Sequence, residues 1–263
     1  MQKIRRKFSV VVWYVVCGCC CCLLLLISSC SKEKHPPGTS SLTIVNAVVG
    51  SNFLVPNFNG TVPLNTYLYA DMLQYNVFTP LNNQFSSFSG QQPLAIYAYP
   101  DTLEKSKPLL NMMLQLPVGA IHSLFLTGTL QHPDSLLVTD ILPSYLPEDS
   151  VTGIRFVNLS PGSAPVSVNI QGQTGTAEVS NLPYKGITGF KQYAARAASA
   201  DYVFEFRDAG SGALITSFQA SGISNPGTST GNNWRNRHLT LALLGLAGGT
   251  GNQAPSLLLI NNY

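Results

Sequence analysis

The sequence has few cysteines, and their placement excludes several kinds of site. All six lie within the first 30 residues, five of them inside one apolar run and the sixth at Cys30. The chain after Cys30 cannot form an internal disulfide, so a domain there must be stabilised by its hydrophobic core. It also has none of the cysteine ligands that are typical of structural zinc sites.

Charged residues are also scarce, at 10% of the chain. The formal net charge is +3, but the first 29 residues carry four of the 15 basic residues and none of the 12 acidic ones. The remainder therefore carries 11 basic against 12 acidic residues, and this balance predicts no nucleic-acid partner. The four histidines and the scattered carboxylates show no ligand or acid–base spacing, so we expect no catalytic site, no metal and no cofactor.

The N-terminus, by contrast, has the order of a secretory signal. Four basic residues within positions 3–7 precede an apolar run over residues 8–27, which ends in Ile27-Ser28-Ser29-Cys30. This ending resembles the lipobox of bacterial lipoproteins of the Bacteroidota type. The resemblance implies that residues 1–29 are removed as a signal peptide and that Cys30 is lipidated, for example with palmitate. An uncleaved membrane anchor is the alternative, since about 20 apolar residues span a bilayer.

Residues 30–40 are polar, contain a Pro-Pro-Gly step and predict a flexible tether. Beyond them the chain repeats itself at a spacing of 112: Ile44-Val45-Asn46 returns as Phe156-Val157-Asn158. Two copies of one unit fit this spacing, and we predict a first domain over 41–146 and a second over 151–263.

Both copies show the periodicity of β-strands. Tyr202, Phe204 and Phe206 alternate with more polar residues, and residues 94–99 are apolar on both faces, as in a central strand. Turn-forming residues separate such runs every 8–12 positions, and only residues 191–200 approach a helical pattern. The predicted fold class is all-β, with two tandem Ig-like antiparallel β-sandwich domains.

Residues 155–172, which read RFVNLSPGSAPVSVNIQG, are similar to the opening of the domain-of-unknown-function 4397 family. That family typically reads R-x-V-x-x-S-P-x-A-P-x-V-D-V before a strand that ends in glycine. The match is good in the second copy and eroded in the first, and Ser167 stands where the family has aspartate. The resemblance implies tandem Ig-like sandwiches in secreted or membrane-anchored bacterial proteins, without an assigned activity.

The loop over residues 232–238 is the best candidate binding surface in the sequence. It holds Trp234, the one tryptophan after Cys30, together with Arg235, Arg237 and three asparagines. Tryptophan and arginine are favoured anchors of binding surfaces, and an aromatic ring with amides also suits a sugar. The alternative is a long hairpin loop whose Trp234 folds back over the edge of the sandwich.

Two short motifs complete the candidates. Residues 227–231 match the Gly-x-Ser-x-Gly pattern of a nucleophile elbow around Ser229, but no helix pattern follows, so we interpret them as a loop. Three Asp-Ser/Thr-apolar steps resemble O-glycosylation sites of Bacteroidota, with Thr102, Ser135 and Ser150 as acceptors.

Together these features predict a non-enzymatic lipoprotein of the cell envelope, located in the outer membrane and facing either the periplasm or the cell surface. It would act as a structural or recognition module, with an envelope protein or glycan as partner. An adhesin or glycan-binding surface lipoprotein is the alternative. An envelope hydrolase would need an acid, a base and a nucleophile that the sequence does not assemble.

Overall fold

The computed structural model describes residues 38–60, 72–102, 105–173, 175, 177–228 and 231–262. The predicted signal peptide, Cys30 and the tether up to residue 37 lie outside these residues. The chain from Gly38 to Tyr263 forms one compact unit. The regular secondary structure in the described part of this unit is almost entirely β-strand.

The first eight strands form a sandwich of two four-stranded sheets. Its inner sheet has the order β4-β1-β7-β8, and its outer sheet has the order β3-β2-β5-β6. One short helical turn, α1 (Pro80–Asn83), precedes β4. The strands are β1 (Thr39–Asn46), β2 (Phe53–Asn57), β3 (Leu73–Gln74), β4 (Gln84–Phe88), β5 (Gly90–Ala98), β6 (Leu110–Leu116), β7 (Ile121–Gly128) and β8 (Pro133–Thr139).

The next eight strands repeat this arrangement in a second sandwich. The inner sheet has the order β12-β9-β15-β16 and the outer sheet β11-β10-β13-β14, so each strand takes the place of the strand eight positions earlier. The strands are β9 (Val151–Asn158), β10 (Val166–Ile170), β11 (Val179–Leu182), β12 (Lys191–Ala194), β13 (Val203–Asp208), β14 (Leu214–Gln219), β15 (His238–Leu244) and β16 (Ser256–Asn261).

The predicted fold class, all-β with two tandem sandwiches, is therefore confirmed. The sheets are mostly antiparallel, but β1 pairs in parallel with β7, and β9 pairs in parallel with β15. A parallel pair needs a long crossover between its strands. Here the chain between the two paired strands forms the outer sheet and the edge strand of the inner sheet. The first and seventh strands of each sandwich therefore lie side by side at the centre of its inner sheet.

The predicted domain bounds fall close to these elements. Strand β1 begins at Thr39, inside the stretch predicted as tether, and the first sandwich ends before the segment 141–146. Residues 191–194 form the edge strand β12, which pairs with β9 rather than turning into a helix. The alanine-rich residues that follow form a turn.

The four sheets stack in layers because the inner strands bury both of their faces. In β1, Leu42 and Ile44 point into the first sandwich, while Val45 points to the second. The same alternation holds in β9, where Phe156 faces its own sandwich and Val157 faces the first one. Strands buried on both faces are expected to be apolar almost throughout.

Three hydrophobic cores result, one inside each sandwich and one between the two inner sheets. The core of the second sandwich contains the predicted alternating residues Phe204 and Phe206, both fully buried. The core between the sheets holds residues from both repeats: Val45, Ala47, Phe125, Val157, Leu159, Ala242, Leu244, Leu258 and Ile260.

The two sandwiches are aligned, so the molecule has two distinct ends. Thr127, near the end of β7, donates a hydrogen bond of 2.7 Å to the carbonyl of Leu159, just after β9. The strands β7 and β9 therefore point the same way. We call one end the entry end, with Gly38, the turns at 88–90 and 117–120 and the loop 220–237. The other is the distal end, with residues 47–52 and the hairpins at 128–133 and 245–255.

Candidate functional site: a cleft at the distal end

A polar cleft of about 610 Å³ opens at the distal end, between the first sandwich and the β15–β16 hairpin of the second. Three separate segments of the chain form its walls, and none of its lining residues is an acid, a lysine, an arginine or a histidine. The lining residues are Gly50, Ser51, Asn52, Gln74, Tyr75, Asn76, Val77, Asn252 and Gln253.

The first wall is shaped by Asn46, the buried last residue of β1. Its side-chain amide donates to the carbonyl of Leu73 at 3.0 Å, which ties β1 to β3. Its Oδ1 accepts from the backbone N–H of Val48 and from the hydroxyl of Ser51, each at 3.1 Å. These bonds hold the β1–β2 loop in one conformation, so Ser51 and Asn52 are presented to the cleft by a fixed backbone.

The second wall is the turn after β3. The backbone N–H of Tyr75 donates to Asn52 at 2.8 Å, and that of Asn76 donates to the carbonyl of Asn46 at 3.2 Å. Asn76 has a φ of 56°, a left-handed conformation that asparagine tolerates better than most residues. The turn is thereby fixed beside the β1–β2 loop.

The third wall comes from the second repeat. Residues 251–253 form a turn of 3₁₀ helix in the long β15–β16 hairpin, and the N–H of Leu246 donates to the carbonyl of Gln253 at 2.8 Å. At the base of the hairpin Gly245 has a φ of 89°, and a Cβ there would lie 2.3 Å from the carbonyl oxygen of Ala254. Only glycine permits this close approach of the two hairpin arms.

The cleft offers hydrogen-bonding groups that the described part of the chain does not use. The side chains of Asn52, Gln74, Asn252 and Gln253 are exposed and make no hydrogen bond to another described residue. The Oδ1 atom of Asn76 is buried without a partner among those residues. Each carboxamide can both donate and accept, so the site can satisfy a ligand that does the same.

Tyr75 adds an aromatic surface to this polar site. Its ring packs against the core between the inner sheets, and its hydroxyl is buried without a described hydrogen-bond partner. Burial raises the pKa of Tyr75 above its ordinary value. The hydroxyl therefore stays neutral at physiological pH and keeps the cleft uncharged.

The equivalent place in the second repeat carries an ion pair. Tyr184 and Lys185 stand where Tyr75 and Asn76 stand in the first repeat, since Lys185 is also left-handed and donates its N–H to Asn158. The ammonium of Lys185 pairs with Asp134 on the β7–β8 hairpin at 2.9 Å. That hairpin has a tight turn at 128–133, whereas its counterpart extends over 245–255. The two repeats therefore differ at this place, with unpaired amides in the first and a half-exposed ion pair in the second.

The loop predicted to bind a partner lies at the opposite, entry end. Trp234 is half-buried, packs against the core of the second sandwich and donates its indole N–H to the carbonyl of Ser221 at 3.0 Å. Arg235 donates to the carbonyls of Ala195 and Pro226. Arg237 is exposed. Two of the three side chains thus contact their own domain, and a binding role for this loop stays a prediction.

Asp201 stabilises the turn at residues 221–224, which contacts Trp234. Its carboxylate accepts from the backbone N–H groups of Gly222 and Ser224 and from the hydroxyl of Ser224. These hydrogen bonds, first among them the one from Gly222, lower the pKa of Asp201. The turn that receives the indole of Trp234 is therefore itself held in place.

The remaining predicted site residues are spread over the molecule. Thr102 is only 4% exposed, whereas Ser135 and Ser150 are partly exposed, so the folded chain presents these two serines to a transferase more readily. Cys30 and Ser229 lie outside the described residues. His238 donates from Nε2 to the carbonyl of Pro143 at 2.7 Å and stacks on Tyr145. Within the described ranges no group of three metal-ligating side chains comes together.

The cleft residues were missed by sequence reasoning. They come from segments about 25 and 175 positions apart, so no local spacing brings them together. Single asparagines and glutamines in turn-rich stretches are indistinguishable from ordinary turn residues. The only available signal was the difference in hairpin length between the two repeats.

Comparison with known proteins adds little to this geometry. No protein-family model and no curated protein matches the chain. The resemblance to the domain-of-unknown-function 4397 family stays a prediction. Among solved structures, the chain is similar to a proposed adhesin from Bacteroides ovatus, with 14% identity and a TM-score of 0.20, over 86% of this chain and 97% of that one. A likeness at this level carries no functional argument.

Proposed function

We propose that the mature chain is a lipid-anchored, non-enzymatic recognition module of the outer membrane that binds a neutral saccharide in the distal cleft. The anchor rests on the lipobox-like sequence that ends at Cys30. The recognition role rests on one structural observation, the uncharged cleft lined by unpaired carboxamides and one tyrosine.

The chemistry of the cleft favours a sugar over other ligands. Each sugar hydroxyl both donates and accepts hydrogen bonds, as each asparagine or glutamine side chain does. Charged side chains are the usual ligands of anions and metal ions, and the lining residues have none. A saccharide also tolerates a shallow site, because ordered water can bridge the hydroxyls that no side chain reaches.

The experiment is a screen of neutral glycans against the mature chain, followed by calorimetry on the saccharide that binds. The variant Gln74→Ala/Gln253→Ala removes two exposed side chains that make no bond within the described chain, so the fold should be unaffected. A hydrogen bond contributes about 0.5–1.5 kcal/mol. Loss of two bonds should therefore weaken binding about fivefold or more.

Gln219→Ala is the matched control, since Gln219 is an exposed glutamine at the entry end. It should bind as the unmodified chain does. Binding that is equally weak in both variants, or equally strong in both, would place the sugar elsewhere. Selective binding of peptides but no glycan would reassign the cleft to a protein partner.

A further inference from the structure

Three large apolar side chains are exposed at the entry end, around the point where the described chain begins. Phe88 is 59% exposed, Val118 is 72% exposed and Ile141 is 85% exposed. A buried position would be expected for side chains of this kind, and a cluster of them on a surface indicates an interaction site.

Contacts place Phe88 and Val118 beside Gly38 and Ile141 at the same end, two strands away in the inner sheet. Phe88 is the register partner of Thr39, and the N–H of Ser89 donates to the carbonyl of Gly38 at 2.8 Å. The side chain of Val118 lies against Gly38. The N–H of Asp140 donates to Ile121 at 2.8 Å, which sets Ile141 next to the start of β7 on the same end.

The surface beside Phe88 and Val118 is uncharged and mostly apolar. A shallow hollow of about 340 Å³ lies beside Phe88 and Val118 and is lined by residues 89–90 and 115–118. None of these residues, nor Phe88 or Ile141, has an ionisable side chain. A surface of this kind suits the boundary between lipid headgroups and acyl chains rather than a charged partner.

The length of the preceding chain identifies the bilayer as the occupant. Cys30 is eight residues from Gly38, and eight extended residues span at most about 28 Å. A lipid on Cys30 therefore keeps the entry end close to the membrane at all times. Phe88, Val118 and Ile141 lie on the side of the molecule from which this short connection leaves.

We infer that the entry end rests on the bilayer through Phe88, Val118 and Ile141, so that the distal cleft faces away from the membrane. This inference depends on the lipid anchor of the proposed function and does not depend on what the cleft binds. The lipid on Cys30 and the apolar residues of the entry end would then be two contacts with the membrane, and together they would fix the orientation of the molecule.

The test uses the full lipidated chain, reconstituted in vesicles. Val118→Cys and Ile141→Cys each carry an environment-sensitive fluorophore, and some vesicles contain a quencher attached to the lipid acyl chains. Both labels should shift to the blue and lose at least half of their emission to the quencher. Leu214→Cys is the control: Leu214 is 52% exposed but lies at the distal end, so its label should remain water-like.

Each other outcome overturns the inference in a distinct way. Labels at 118 and 141 that behave like the label at 214 would show that the entry end stays in water. A blue shift without quenching would show that a second copy of the chain covers the surface. Palmitate incorporation and flotation with vesicles, both absent in Cys30→Ser, test the anchor separately. A chain that fails to float would remove the basis of the inference, while glycan binding in solution would be unaffected.

Discussion

Asn46 and Asn158 show how a single side chain can organise a repeat. Both are fully buried at the end of the first strand of a sandwich. Each donates from its amide to the carbonyl of a leucine in the third strand, Leu73 or Leu182, at 3.0 and 3.2 Å. A buried carboxamide must be hydrogen-bonded, and here its bonds join three parts of the chain. The Val-Asn step that recurs at a spacing of 112 is therefore a structural requirement of each unit.

Trp234 provides the prediction at the scale of single residues. Trp234→Ala should lower the free energy of unfolding by about 2 kcal/mol, less than the 3–5 kcal/mol of a fully buried aromatic residue, because the ring is only half-buried. Urea denaturation checks this value. Asn233→Ala, an exposed neighbour in the same loop, should change stability by less than about 0.5 kcal/mol.

The variant Trp234→Ala also decides between the two interpretations of this loop, as a binding surface or as a cover over the sandwich edge. Unchanged stability, together with lost retention on an envelope glycan or protein, would make Trp234, Arg235 and Arg237 a contact surface. The sequence alone could not decide this, because the residues around a tryptophan in a polar loop do not show whether its ring points to solvent or to the core. The hydrogen bond from its indole to Ser221 depends on a turn 13 residues away.

At the scale of elements, the contact between the inner sheets contains a buried polar network beside its apolar core. The guanidinium of Arg155, on β9, donates to Asp140 at 2.8 Å, to Ser123 at 3.1 Å and to Thr240 at 2.7 Å. Asn262 donates to both Ser123 and Asp140. All five side chains are at most 6% exposed. The network therefore joins strands of both repeats in a dry environment.

The network also breaks the symmetry between the repeats. Ser123 bonds Asp140 in the first sandwich as Thr240 bonds Asn262 in the second. Arg155 has Thr43 as its counterpart at the spacing of 112, so the cation comes from one side only. Such a pair fixes the relative position of two sheets more strictly than apolar contacts do, since its geometry admits few alternatives.

Removal of one partner should therefore be costly. Asp140→Asn leaves the Arg155 cation buried without its counter-ion and should cost about 3 kcal/mol in urea denaturation. The double variant Arg155→Met/Asp140→Leu removes both charges and should recover most of this loss. Lys185→Met, which breaks the half-exposed pair with Asp134, should cost no more than about 1 kcal/mol. Equal costs for Asp140→Asn and Lys185→Met would contradict a dominant role for burial.

Sequence reasoning succeeded where an element is defined by neighbouring residues. The alternation around Phe204 and Phe206 predicted a strand, and both rings are buried in β13, although Glu205 between them is buried as well. It failed where an element is defined by a distant partner. Residues 191–194, part of the one stretch that approached a helical pattern, pair with β9 as an edge strand that no local pattern indicated. The parallel pairing of β1 with β7 could not be predicted, since nothing local specifies a partner 80 residues away.

At the scale of the whole molecule, the third core makes the two repeats one structure. Nine buried residues lie between the inner sheets, among them Phe125 and Ile260. Burial of a large apolar side chain contributes about 1.5–3 kcal/mol, so separation of the repeats would cost on the order of 10 kcal/mol. Separation of the repeats would expose this apolar surface to water. The run predicted to be apolar on both faces, residues 94–99, lies almost entirely in β5 of an outer sheet. The burial of the inner strands on both faces depends on a second layer that could not be identified from sequence.

This shared core leads to a prediction for limited proteolysis of the unlipidated chain. The segment 141–146 joins the sandwiches without regular structure, and Ile141 and Leu146 are both exposed, so thermolysin should cut there first. The two fragments, identified by mass, should nevertheless co-elute in gel filtration, because cleavage of the connection leaves the core between the sheets intact. They should separate only in denaturant.

A Phe125→Ala/Leu258→Ala variant, which removes apolar contacts from both sides of this core, should release the fragments at a lower denaturant concentration. Fragments that separate in native buffer, each still folded, would show instead that the repeats are independent domains and that the core between the sheets contributes little to their association.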